Sequence, residues 1–112
     1  MTFIQDRPDL AVGRGWYAIV DQTTAQLKEL DPDFKIIQIK EKFGGLRYYY
    51  QPKKTNASTR VQMDAVIARA ERAAEETCED CGAAGRTRSK KTGWLITLCD
   101  DCAEKMGPFR ED

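Results

Sequence analysis

The stretch that decides the architecture of this chain reads CEDC at residues 78–81 and CDDC at residues 99–102, with seventeen residues between them. Two residues between paired cysteines let one tight backbone turn direct both sulfurs at a single ion, and two such turns complete a tetrahedron. The C-x2-C-x17-C-x2-C spacing therefore predicts one metal site. Its predicted ligands are Cys78, Cys81, Cys99 and Cys102.

Four thiolates leave no open coordination position, which is typical of a structural zinc site and not of a catalytic one. A redox dithiol and an iron–sulfur cluster are the alternatives, because four cysteines can also hold iron. The bacterial ferredoxin pattern of cysteines is absent from the sequence. We therefore expect one structural zinc ion.

The residues around the cysteine pairs predict a small lobe. Residues 86–90 and 94–98 favour a short hairpin, and residues 103–106 favour the start of a final helix. The second cysteine pair would then lie on the first helical turn, whose dipole favours thiolates. Trp94 is expected to cover the small metal core, because so small a lobe has few other large side chains to bury. This order of elements resembles the treble-clef family of zinc fingers.

Two helices are predicted before the cysteines. Apolar residues at helical spacing predict the first over residues 15–30, and Asp-Pro-Asp at residues 31–33 ends it because proline removes a backbone donor. The second is predicted over residues 59–77, with Ser58 as its N-cap. Its predicted apolar stripe comprises Val61, Met63, Val66, Ile67, Ala70 and Ala74.

Residues 34–51 are rich in β-branched and aromatic side chains and predict a β-hairpin that turns at residues 44–45. With that turn Phe43 faces Leu46, and Glu41 falls on the apolar side, where it needs a partner or a place at the rim. The face predicted for the core carries Ile37, Ile39, Phe43, Leu46, Tyr48 and Tyr50, with Glu41 facing Tyr48. The opposite face carries Lys40, Lys42, Arg47 and Tyr49.

These elements predict an α+β fold: a helix, a two-stranded antiparallel hairpin, a second helix, and a C-terminal treble-clef-like zinc lobe with a short hairpin and a short helix. Residues 1–77 would form the core, residues 78–106 the metal lobe packed on it, and residues 107–112 a tail. A length of 112 residues fits one such domain.

The composition, with 41% hydrophobic and 32% charged residues, indicates a folded chain. No apolar run approaches the roughly 18 residues of a membrane span. The first ten residues carry three charges and a proline, where a secretion signal would be apolar. Close cysteine pairs without a leader also favour a reducing compartment. We therefore expect a cytoplasmic protein.

The sequence contains no histidine. This excludes nucleophilic catalysis by Ser–His or Cys–His pairs, the treble-clef nucleases that need a histidine base, and the zinc deaminases. No glycine-rich phosphate loop precedes a helix either. We therefore expect that the protein is not an enzyme.

The net charge is zero, but the charges are segregated along the chain. Residues 35–60 carry seven basic and one acidic side chains, and residues 82–98 carry four basic and no acidic ones. Such blocks either attract a partner or simply lie beside acidic helices. The candidate partner-binding residues are Lys40, Lys42, Arg47, Tyr49, Arg86, Arg88, Lys90 and Lys91.

The segment KEKFGGLRYY at residues 40–49 resembles a family of short, functionally uncharacterised proteins carried by bacteriophages and bacterial genomes. The resemblance extends to Gly-Trp at residues 15–16, the pattern CExCG at residues 78–82, Gly-Trp-Leu at residues 93–95 and Leu-Cys-Asp at residues 98–100. The resemblance implies no established activity. It implies a phage context, in which small proteins often bind and redirect host machinery.

Two functions are therefore expected. The first is a non-enzymatic binding protein whose target is a host protein, with defence systems among the candidates. The alternative is a nucleic-acid binder that sets its basic side chains against phosphates and stacks Tyr49 on a base. The zero net charge counts against the alternative, because dedicated nucleic-acid binders are commonly basic.

Overall fold

The computed structural model describes residues 10–53 and 56–106. Within these ranges the chain forms three α-helices and two antiparallel hairpins, which confirms the predicted α+β class. None of the described helices is long and apolar enough to cross a membrane. The predicted tail at residues 107–112 lies outside the described residues.

Both helices predicted before the cysteines are present. Helix α1 spans Tyr17–Leu30, directly after a short 3-10 turn, and α2 spans Ala57–Glu75. The predicted cap of α2 is wrong, because the side chain of Asn56 accepts a hydrogen bond from the backbone N–H of Thr59 at 2.8 Å. Ser58 lies inside the first helical turn instead. Asparagine is among the best N-cap residues, which explains the earlier start.

Strands β1 (Lys35–Lys42) and β2 (Gly45–Gln51) form the first hairpin, hairpin one. Glu41 pairs with Leu46, so the predicted pairing of Glu41 with Tyr48 is wrong by two residues. Because side chains alternate with a period of two, this shift leaves the paired residues on the faces predicted for them. Leu46 and Tyr48 are accordingly buried in the core.

The turn of hairpin one accounts for the difference. It consists of Phe43 and Gly44, with φ angles of 55° and 79°, and begins one residue before the predicted turn at residues 44–45. Two positive φ angles give a two-residue turn whose twist matches the strands. The N–H of Gly44 donates to the carboxylate of Glu41 at 2.7 Å, which is the partner that Glu41 needed. Phe43 lies at the tip, 67% exposed, and does not enter the core as predicted.

Two further apolar residues predicted for the core are exposed. Ile37 lies at an irregularity of β1, where the pairing shifts between Ile36 and Gln38 and turns Ile37 away from the core. Val61 is 68% exposed, although it is only two residues from the fully buried Met63. Residues two apart in a helix point to different sides, so both could not face the core.

The core lies between α1, α2 and the inner face of hairpin one, with α1 packed on α2 and α2 packed on β2. The small side chains of Ala70 and Ala74 face this core and allow close approach of α2. The buried apolar residues of the core are Leu10, Trp16, Val20, Leu27, Phe34, Ile39, Leu46, Tyr48, Met63, Val66, Ala70 and Ala74.

The metal lobe (residues 78–106) contains strands β3 (Arg86–Ser89) and β4 (Leu95–Leu98), which form hairpin two, and helix α3 (Asp100–Met106). These elements fall where the sequence predicts a hairpin and a final helix. The lobe buries far fewer apolar side chains than the core, namely those of Cys78, Leu98, Cys102 and Ala103, together with the polar Thr97.

Candidate metal centre

The four predicted ligands lie together in the structure. The Sγ atoms of Cys78, Cys81, Cys99 and Cys102 are all within 4.8 Å of one another, and those of Cys81 and Cys99 are 3.6 Å apart. A tetrahedral metal–sulfur site with bonds of about 2.3 Å places its sulfurs about 3.8 Å apart. The four cysteines are therefore arranged to coordinate one metal ion.

The first cysteine pair lies on a tight turn after α2. The N–H of Gly82 donates to the carbonyl oxygen of Cys78 at 2.9 Å, and the N–H of Cys78 donates to Ala83 at 2.7 Å. Gly82 has a φ angle of +86°, a conformation that residues with a Cβ rarely adopt. This turn directs Cys78 and Cys81 at the same point.

The second cysteine pair lies at the start of α3. Cys102 is on the first turn of that helix, and Cys99 immediately precedes it. The backbone N–H of Cys102 points at the Sγ of Cys99, 3.4 Å away. Cys99 therefore takes the place of an N-cap residue, and its sulfur accepts from a helix N–H that would otherwise lack a partner.

The protonation of the cluster shows why it favours a cation. Burial opposes ionisation of Cys78, but hydrogen bonds from the backbone of Cys99, Cys81 and Asp80 outweigh it and lower the pKa of the Cys78 thiol to about 7. The neighbouring Cys99 thiol, together with burial, raises the pKa of Cys102 instead. Thiols this close cannot all ionise without a positive charge between them, which a metal ion supplies.

A backbone contact joins the core to the first cysteine turn. The N–H of Gly15 donates to the carbonyl oxygen of Glu79 at 2.8 Å, and a Cβ at Gly15 would lie 2.1 Å from the carbonyl oxygen of Cys78. The indole N–H of Trp16 donates to the carbonyl oxygen of Thr77 at 2.8 Å. Only glycine fits at residue 15, and the buried Trp16 ties the core to the end of α2.

A second contact joins the tip of hairpin one to hairpin two. The hydroxyl of Thr97 donates to the carbonyl oxygen of Gly44 at 2.6 Å and is within 2.7 Å of the Thr87 hydroxyl. A Cβ at Gly44 would lie 3.0 Å from the Thr87 methyl carbon and 3.3 Å from the nitrogen of Ile96. Sequence reasoning assigned the glycines of hairpin one to a turn alone and missed this docking role.

Trp94 does not cover the metal core as the sequence predicts. Its side chain is 64% exposed, and the Nζ of Lys90 lies 5.8 Å from the centre of its ring. Leu98 and Ala103, together with the buried cysteines, fill the interior of the lobe. Trp94 precedes β4, at the edge of that interior.

Glu79 lies between the first two cysteines and is partly buried. Burial raises the pKa of its carboxyl, the hydrogen bond from the N–H of Gly13 lowers it, and the negative charges of Glu41 and Asp80 raise it further. Three carboxylates therefore lie close enough to influence one another at the junction of the core and the metal lobe.

The outer face of hairpin one carries the four predicted residues Lys40, Lys42, Arg47 and Tyr49, which we call the basic face. The Nζ of Lys40 lies 5.7 Å from the centre of the Tyr49 ring. Arg47 lies 3.7 Å from the carboxylate of Glu71 on α2, so part of its charge is compensated within the chain.

The four basic residues predicted on hairpin two differ in their surroundings. The guanidinium of Arg88 donates to Asp100 at 2.6 Å, lowering the pKa of that carboxyl, and also donates to the carbonyl oxygen of Leu98 at 3.1 Å. Lys90 lies over Trp94. Arg86 and Lys91 are exposed.

Comparison of the chain with protein-family models, with curated proteins and with solved structures finds no match.

Proposed function

We propose that the protein is a small zinc-stabilised, non-enzymatic binding protein of phage type that acts on a host protein in the bacterial cytoplasm. The observation that carries the proposal is the basic face of hairpin one, where Lys42 and Tyr49 are exposed beside the half-buried Lys40 and Arg47. The phage context and the host target rest on the resemblance of residues 40–49. Inhibition of a host defence system is one form that the activity would take.

The four-cysteine cluster supports zinc as the metal. Zinc prefers tetrahedral thiolate sites, and the Sγ atoms lie within 4.8 Å of one another, close enough to share one ion. All four positions would be filled by protein ligands, so the ion would stabilise the lobe and leave no site for substrate. Together with the absence of histidine from the sequence, this supports a binding role over catalysis.

The mixed chemistry of hairpin one supports a protein partner. Ile37, Phe43 and Tyr49 are exposed on this hairpin, and the Nζ of Lys42 lies 5.4 Å from the centre of the Phe43 ring. Exposed apolar groups rimmed by charge mark protein interfaces, in which aromatic residues are enriched. We infer an acidic surface with apolar side chains on the partner.

Nucleic-acid binding is the second candidate, favoured by the half-buried Lys40 beside the exposed Tyr49, which could contact a phosphate and stack on a base. Two ion pairs within the chain count against it, those of Arg47 with Glu71 and of Arg88 with Asp100. Because these two cations are already paired, they are less able to bind the phosphates of a nucleic-acid backbone.

Metal analysis of protein purified without added metal tests the zinc proposal. We expect about one zinc per chain, as four thiolates fill one tetrahedral site. Replacement by Co²⁺ should give the visible absorption of tetrahedral thiolate coordination. Bound iron, or a disulfide in freshly reduced protein, would contradict the proposal.

Affinity capture from bacterial lysate, with and without nuclease, tests the binding proposal. The charge-reversed variant Lys40→Glu/Lys42→Glu should lose the captured protein, whereas the control Lys28→Glu/Lys105→Glu, with the same charge change at exposed sites on α1 and α3, should keep it. The partner should then bind directly in purified form. Capture that nuclease abolishes, with oligonucleotide binding that weakens steeply with salt, would support the nucleic-acid candidate instead.

A further inference from the structure

A pocket with a volume of about 250 Å³ opens where the core meets the metal lobe. Pockets for drug-sized ligands and cofactors have volumes of roughly 300 to 1,000 Å³, so this one is of a size for a single side chain. Its apolar walls are formed by Trp94, Ile96, Leu98 and Met106. Trp94 and Met106 are both exposed, which leaves these walls accessible to a ligand.

Three carboxylates, those of Glu41, Glu79 and Asp80, line the same pocket. One oxygen of Glu79 accepts from the N–H of Gly13 at 2.9 Å, and one oxygen of Glu41 accepts from the N–H of Gly44 at 2.7 Å. These bonds hold one oxygen of each of these two carboxylates in place, and one oxygen of Asp80 lies 3.5 Å from the Sγ of Cys102. In the part of the chain that the structure describes, the ion pairs involve other acidic residues, so no lysine or arginine neutralises this group.

We propose that this pocket, the Trp94 pocket, binds an arginine side chain of a partner polypeptide. The aliphatic stem of an arginine would pack on Ile96 and Met106, and its guanidinium would stack on the indole of Trp94 while donating to the carboxylates. Charge complementarity selects a cation, and the planar ring of Trp94 favours a planar one. Lysine fits less well, because an ammonium is more strongly hydrated and cannot donate in a fork.

The position of Lys90 is consistent with a cationic ligand beside Trp94. Its Nζ already lies 5.8 Å from the centre of the Trp94 ring, so the indole is placed where a cation is favoured. With 64% of the side chain exposed, Trp94 keeps surface for a second cation. The proposal concerns a different surface from the basic face and does not depend on the function proposed for that face.

Titration of the metal-loaded protein with the peptide acetyl-Gly-Arg-Gly-amide, followed by two-dimensional amide and indole NMR, tests the proposal. We expect saturable shifts of the Trp94 indole N–H and of the backbone around Asp80, with a dissociation constant on the order of 1 mM. The same peptide with citrulline is the matched probe, because it keeps the shape and removes the charge. It should give no saturable shifts.

Two variants locate the site. Trp94→Ala should weaken binding by about two- to fivefold through loss of the cation–π contact, and its exposed position makes unfolding unexpected. Asp80→Asn should weaken binding and reduce its salt dependence. Tyr49→Ala, a change of an exposed aromatic residue on the basic face, should leave the affinity unchanged. Equal binding of the citrulline peptide, shifts centred away from Trp94, or no shifts at all would overturn the proposal.

Discussion

The core buries twelve apolar side chains between two helices and hairpin one, whereas the metal lobe buries Leu98, Ala103 and two cysteines. A segment as short as residues 78–106 cannot form a sufficient hydrophobic core, and segments below about 40 residues usually need a metal or disulfides. Apolar burial therefore stabilises the core, and we expect the metal lobe to depend on a metal ion held by its four cysteines.

The junction between the core and the metal lobe depends directly on neither apolar burial nor metal coordination. It consists of hydrogen bonds and close backbone contacts at Gly15, Gly44, Thr97 and Trp16. Such contacts depend on both surfaces being formed, so we expect the stability of each region to depend on the other. The following predictions test this dependence, from the largest expected effect to the smallest.

Loss of the metal should have the largest effect. Structural zinc in small fingers contributes on the order of 10 kcal/mol, comparable to the whole stability of a typical domain at about 5 to 15 kcal/mol. Cys78→Ser or chelation should therefore lower the melting temperature of the entire protein and speed hydrogen exchange in α2 (Ala57–Glu75) as well as in the lobe. Exchange in α2 that does not change on chelation would mean that the core is independent of the lobe.

Gly15→Ala should have the next largest effect. The new Cβ would lie 2.1 Å from the carbonyl oxygen of Cys78, so the core and the first cysteine turn must move apart, at a cost of about 3 kcal/mol. Chemical denaturation measures this change. Gly45→Ala is the control, since its nearest atom would be 3.5 Å away, and its effect should be small. Equal effects of the two substitutions would contradict the backbone contact.

Thr97→Val tests the second contact of the junction. The fully buried hydroxyl is lost, and the carbonyl oxygen of Gly44 is left without its donor, which should cost about 1 to 3 kcal/mol. Thr92→Val, at an exposed turn position, should change the free energy of unfolding little. The loss should also appear as faster exchange around Gly44, which is distant in sequence. If hydrogen exchange became faster only in hairpin two, the tip of hairpin one would not be bound to Thr97.

Asn56→Ala should have the smallest effect, because it changes only the N-terminus of α2, far from the junction. It removes the N-cap hydrogen bond to Thr59, which should cost about 1 kcal/mol without altering metal affinity. Ser58→Ala should be nearly neutral, because Ser58 does not cap the helix. If Ser58→Ala destabilised the protein more than Asn56→Ala, Ser58 would be the N-cap of α2, as the sequence predicts.

The sequence by itself determined the helices, both hairpins and the four grouped cysteines. These features depend on local periodicity, on turn residues and on the spacing of cysteines. Each of these patterns can be recognised from residues that are close together in the sequence. The shift of hairpin one by two residues left the paired residues on their predicted faces, because the alternation of side chains is a local property as well.

Only the tertiary structure decided where hairpin one turns and which large side chains remain outside. The turn at Phe43 and Gly44 places a carbonyl oxygen against Thr97, a residue 53 positions away, and no local pattern encodes that contact. Likewise Trp94 is exposed because Leu98, Ala103 and the cysteines already fill the lobe. Burial depends on which neighbours occupy the available space, and those neighbours come from distant parts of the chain.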